Sequence, residues 1–114
     1  MGSDRKRLIA AEQAPFQTLV KLIERELEFA GNGRVQELQD AVARTGAYMA
    51  TLPAPAPDSV LPLVERAKAL RGRVTIETER LRESIELSRA ALRRSRTVAR
   101  RYAPPLANRY STTA

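Results

Sequence analysis

From Val60 to Tyr102 an apolar or small residue recurs every three or four positions, for twelve steps without a gap. The series is Val60, Leu63, Ala67, Leu70, Val74, Thr78, Leu81, Ile85, Ser88, Leu92, Ser95, Ala99 and Tyr102. At 3.6 residues per turn this spacing draws one narrow stripe along one side of an α-helix. After Pro62 no proline interrupts the stripe, and only one glycine, Gly72, does. A helix over 60–102 would be about 65 Å long at 1.5 Å per residue. The residues before it are too few to cover such a length. The uncovered part of the stripe is therefore expected to hold another helix, from a second copy or from a partner.

Composition supports an all-α chain. At 114 residues it is long enough for one domain with a modest core. Ala, Leu, Arg, Glu and Gln dominate, all strong helix formers, and strand-like alternation is absent except for Val74-Thr75-Ile76 inside a helical pattern. The expected architecture is an antiparallel three-helix bundle over residues 1–103, with a long, coiled-coil-like last helix and a disordered tail over 104–114. There is no cysteine and no histidine, which removes disulfides, thiolate or imidazole metal sites and imidazole bases. No apolar run approaches a membrane span, so no membrane insertion is expected. The basic N-terminal residues are not followed by a signal-peptide core, and the expected location is cytoplasmic.

The expected helices are 4–30, 34–52 and 59–102. In the first, Phe16, Val20, Ile23, Leu27 and Ala30 form the stripe with Leu19 alongside, and Gly31 is the natural left-handed cap. Pro15 suits a first helical position, leaving open whether it kinks one helix or separates two. In the second, Val35, Leu38, Val42, Met49 and Leu52 line one face, with Gly46 either a weak spot or a close crossing. Pro53-Ala54-Pro55-Ala56-Pro57 reads as a stiff, polyproline-like spacer. Asp58 or Ser59 is the expected cap of the third helix. Its stripe takes two consecutive four-residue steps, Leu70 to Val74 to Thr78, the signature of a stutter beside Gly72. The helix either unwinds locally there or bends; a full break would give four helices.

Little in the chain points to catalysis, and neither an enzyme nor a cofactor is expected. Glu79, Glu83 and Glu86 share a helix face, but arginines lie close by and the histidines of a di-iron site are missing. The arginines carry more information. Residues 1–86 hold 13 basic and 13 acidic side chains, whereas residues 87–114 hold seven arginines and no acid. The +7 charge thus belongs to the last quarter. Arg89, Arg93, Arg96 and Arg100 form a row about 100° around the helix from the apolar stripe. Cations favour a helix C-terminus, but only over its last turn. The alternatives are a docking surface for an acidic protein or a phosphate-contacting strip. Apart from Tyr102, the interleaved aromatics used to stack single-stranded bases are missing, so nucleic acid is the less favoured partner.

Several segments together resemble the FlgN family of flagellar type III export chaperones and related small helical chaperones. They are Glu24-Arg25-Glu26-Leu27-Glu28, the break Gly31-Asn32-Gly33, the helix from Val35-Gln36-Glu37-Leu38 to Leu52-Pro53, and the long helix ending at Tyr102. The resemblance spans residues 16–102. It implies a chaperone, without ATP consumption, for the amphipathic terminal helix of a flagellar subunit of the hook–filament junction type. Such a chaperone prevents premature assembly and delivers its cargo to the export gate. Val74, Leu81, Ile85, Leu92 and Ala99 are then the expected partner-binding groove. Arg89, Arg93, Arg96 and Arg100 are the basic docking row, and Tyr102 is the candidate for export-gate docking. A homodimer through the stripe, a nucleic-acid-binding protein and a structural coiled coil are the competing readings. Ser88 and Ser95 weaken the last, since a permanent seam prefers Leu or Ile.

Overall fold

A computed structural model describes the backbone of residues 2–112 and the side chains of residues 3–101. Three α-helices follow one another: α1 (Gly2–Gly31), α2 (Val35–Met49) and α3 (Leu61–Thr112), with a 3₁₀ turn at Asp58–Val60 before α3. Among the described residues there is no strand. The chain divides into two compact units, Met1–Leu81 and Arg82–Ala114.

In the first unit, the core joins Leu19, Val20 and Ile23 of α1 to Ala67, Leu70 and Val74 of α3. Leu27, Tyr48, Leu52 and Leu63 pack around that cluster. The stripes expected for α1 and for the first half of α3 are thus the ones buried. The face of α2 differs from expectation, because Val35, Val42 and Met49 are exposed. The inward row is Leu38, Ala41, Thr45 and Tyr48, and Leu52, expected inside the helix, lies in the bend beyond its end at Met49. It succeeds because its polar members are satisfied. Thr45, fully buried, donates its hydroxyl to the Ala41 carbonyl at 2.9 Å, and Tyr48 donates to the Pro15 carbonyl at 2.9 Å.

Pro15 neither starts a helix nor splits one, and α1 is continuous through it. Losing one backbone donor is offset by anchors on both sides of the proline. Phe16 is buried, and the Ser59 hydroxyl donates to the Glu12 carboxylate while Gln13 Nε2 donates to the Ser59 carbonyl at 3.2 Å. Ser59 therefore holds α1 rather than capping α3, and the residue at the 3₁₀ N-cap is Pro57, with no side-chain cap. The spacer is non-helical as expected and contains a cis Ala54–Pro55 bond.

The α1–α2 turn is capped at Gly33, not Gly31. Gly33 has φ 71°, its N–H reaches the Ala30 carbonyl at 3.3 Å, and the Arg34 N–H reaches Phe29 at 3.0 Å. This is the Schellman pattern, whose left-handed residue favours glycine. Gly46 faces open space and marks no close crossing, and α3 runs unbroken through Gly72, which faces open space too. At its other end α3 continues to Thr112, where the spacing predicts an end near Tyr102 and a disordered tail. The helical backbone runs across Pro104 and Pro105, although two prolines remove two N–H donors from it.

Candidate helix-binding site

Burial along the α3 stripe fades stepwise. Val60, Ala67, Leu70 and Val74 are buried, and Thr78, Leu81 and Ile85 are half-buried. From Ser88 to Arg101 every residue except Ala90 is exposed. Val74 is thus a core residue, unavailable to a partner, because α1 packs this far along α3. Leu81 lies beside the α1–α2 turn: a Cβ at Gly33 would sit 3.9 Å from Leu81 Cδ1. Ile85, Leu92 and Ala99 all belong to the second unit, where Leu92 and Ala99 are exposed. The side chain of Tyr102 lies outside the described residues.

Two large apolar side chains of the second unit escaped the expected groove. Leu87 is 68% exposed and Val98 is 51% exposed, alongside Leu92 at 57%. They were missed because each lies one residue away from a stripe position, Leu87 before Ser88 and Val98 before Ala99. Reading which arc of the helix is free of charge, rather than which single line is apolar, would have found them. Between Ser84 and Arg101, the uncharged residues Ser84, Ile85, Leu87, Ser88, Ala91, Leu92, Ser95, Val98 and Ala99 share one side. At 100° per residue they span about 160°, with every charged residue of the segment on the remainder.

The arginines of the two units differ in their surroundings. In the first unit, Arg34, Arg66, Arg71 and Arg80 reach Glu37, Glu24, Glu26 and Glu77 at 3.1, 3.3, 3.2 and 2.9 Å. In the second, Arg89, Arg93, Arg96 and Arg100 are exposed, and among the described residues none forms an ion pair. Glu83 and Glu86 border a shallow depression with Arg89 and Arg93, so charge is mixed only at the start of this segment.

The first unit also carries an apolar groove of about 190 Å³ between α1 and α3, with Leu19, Ile23, Val64 and Ala67 in its walls and Met49 at its rim. It is too small to seat a helix. Among the described residues no cluster of three or more acidic side chains is arranged to hold a metal, and no helix is long and apolar enough to cross a membrane. No family model, curated protein or solved structure matches this chain.

Proposed function

We propose that this chain is a cytoplasmic export chaperone of the flagellar type III system, of the FlgN kind. An antiparallel three-helix bundle is the scaffold, and the second half of α3 captures the amphipathic terminal helix of a flagellar subunit. Capture prevents premature assembly, and the basic end of α3 with Tyr102 presents the cargo to the export gate. The observation that carries this reading is the exposure of Leu87, Leu92 and Val98 on one uncharged helix face. Full burial of each is worth about 1.5–3 kcal/mol, and roughly half of each is exposed. Covering them would then contribute about 2–5 kcal/mol before ordering costs, a scale suited to reversible capture. Ile85, already half-buried, adds less than the sequence spacing alone suggests.

The test is titration of fluorescent terminal-helix peptides from hook–filament junction subunits into the purified protein. Leu87→Asp with Leu92→Asp is expected to weaken binding at least about tenfold, at unchanged helix content. Absence of affinity for any flagellar subunit helix sinks the reading.

The exposed arginine row favours one competitor, a nucleic-acid-binding helix. Neutralising phosphates with about six arginines would give a slope near −5 in log affinity against log salt. In the chaperone reading, DNA binding is weak, independent of length and lost by physiological salt.

A further inference from the structure

The second unit shows more than an apolar face: it shows which charges a partner must bring. Viewed down the helix, the large side chains sit at the two edges of the uncharged arc. Leu87 and Val98 form one edge and Ile85 and Leu92 the other, with Ser88 and Ser95 between them. Beyond the Ile85–Leu92 edge stands the row Arg89, Arg93, Arg96 and Arg100. Beyond the Leu87–Val98 edge stand Arg94 and Arg101. All six are exposed, and no acidic residue follows Glu86. Both flanks of the face are therefore positive.

We infer that the occupant of this face is an amphipathic helix with acidic residues on both sides of its apolar stripe, and that it is not a second copy of this chain. This rests on the reading of the face as a helix-capture surface, but not on the partner being flagellar. Charge complementarity selects the occupant. Residues flanking a helix–helix seam meet their counterparts on the partner, and their signs set partner choice. Two parallel copies of α3 paired through this face would oppose arginine to arginine on both flanks, and an antiparallel pair would still oppose the Arg89–Arg100 row to itself, with Glu83 against Arg101 as its compensating contact. An acidic helix would pair every flank. The small Ser88 and Ser95 at the centre let a partner helix approach closely between the two edges. A lipid surface is the poorer match, since interfacial helices place bulky Trp, Phe or Leu at the centre of the apolar face. Duplex DNA would take the arginines and leave Leu87, Leu92 and Val98 in water.

The experiment uses the full chain and three synthetic helical peptides sharing one Leu/Ala stripe, with Glu, Gln or Lys at the flanking positions. Binding is followed by fluorescence anisotropy at low and high salt. The Glu-flanked peptide is expected to bind about tenfold more tightly than the Gln-flanked one, the combined effect of several exposed ion pairs, and the gap should close in high salt. Replacing Arg89, Arg93, Arg96 and Arg100 with Gln should remove that gap while sparing the Gln-flanked peptide. Replacing the same four with Glu should reverse the preference toward the Lys-flanked peptide, and circular dichroism checks that each variant stays helical. Equal affinity for the Glu- and Gln-flanked peptides overturns the inferred chemistry and leaves helix capture standing. If no peptide binds while phosphatidylglycerol vesicles or duplex DNA do, helix capture itself falls. A concentration-dependent dimer in sedimentation, abolished by Leu92→Asp, would also overturn the inference.

Discussion

Replacing Arg71 with Met should destabilise the first unit far more than replacing Glu26 with Met, although both remove the same ion pair. The Glu26 side chain is 1% exposed, and Arg71 Nη2 lies 3.3 and 3.2 Å from its two carboxylate oxygens. The Arg71 side chain is 39% exposed. The two partners are thus unequal in what they lose when left alone. Without Glu26, the guanidinium turns to water. Without Arg71, a carboxylate stays buried with no cation.

Breaking a fully buried pair from one side costs about 3–5 kcal/mol. Because water already reaches Arg71, and because a single nitrogen serves both oxygens instead of a two-nitrogen fork, about 2–3 kcal/mol is the expected loss for Arg71→Met. Glu26→Met, an apolar side chain of similar volume beside Ile23 and Val74, should fall within about 1 kcal/mol of the parent in either direction. The double variant should recover most of the Arg71→Met loss, which makes the cycle diagnostic. Urea unfolding followed by far-UV circular dichroism reads the midpoint and slope, and a constant slope confirms that stability has changed. In thermal melts, Arg71→Met should lower the midpoint by about 8–20 °C for a unit of this size. If Glu26→Met proves the more harmful, or if the double variant is worse than Arg71→Met alone, the buried carboxylate does not govern this site.

Three further outcomes follow from the packing. Gly46→Ala and Gly72→Ala, each facing open space within a helix, should stabilise by about 0.5–1 kcal/mol, whereas Gly33→Ala at φ 71° should cost about 1 kcal/mol; urea midpoints decide the signs. Tyr48→Phe should cost about 1 kcal/mol by leaving the Pro15 carbonyl without its second donor, and amide exchange around Pro15 should quicken. Leu70→Ala should cost about 2–4 kcal/mol, while Leu92→Ala should leave the melting temperature of the first unit within error.

The helices and most of their inward faces were legible because a period of 3.6 is a direct imprint of burial on sequence. The expectation failed where burial was decided by polar satisfaction. On α2, Val35, Val42 and Met49 look more suited to a core than Thr45 and Tyr48. Yet the latter are turned inward, where the Thr45 hydroxyl is satisfied by the Ala41 carbonyl of its own helix and the Tyr48 hydroxyl by the Pro15 carbonyl of α1. No hydrophobicity pattern carries that information. Glu26 is the same case: within Glu24-Arg25-Glu26-Leu27-Glu28 nothing marks the middle carboxylate as buried, since its partner Arg71 lies in another helix. Glu24 meets Arg66 at the surface instead. Along α3 the stripe takes one extra four-residue step from Val74 to Thr78 and then resumes its alternation, so periodicity alone could not tell the residues given to the core from those left for a partner.

The electrostatics of the second unit also bear on what a partner does to the helix itself. Arg89 with Arg93, Arg93 with Arg96, and Arg96 with Arg100 are like-charge neighbours three or four residues apart. Each such pair opposes the helix by about 0.2–0.5 kcal/mol, for a total of about 1 kcal/mol. The helix dipole offsets this only near its end, and Ala, Leu and Arg propensity supplies the rest of the support. An acidic helix lying along the face would both cover Leu87, Leu92 and Val98 and cancel that repulsion. Binding and helix stability in residues 82–101 should therefore rise together. Amide exchange reads this: protection in that segment should increase on adding a Glu-flanked peptide, and high salt should produce part of the increase with no peptide present. Protection that is indifferent to both salt and peptide would mean that the arginines do not strain the helix, and that a partner adds nothing to its stability.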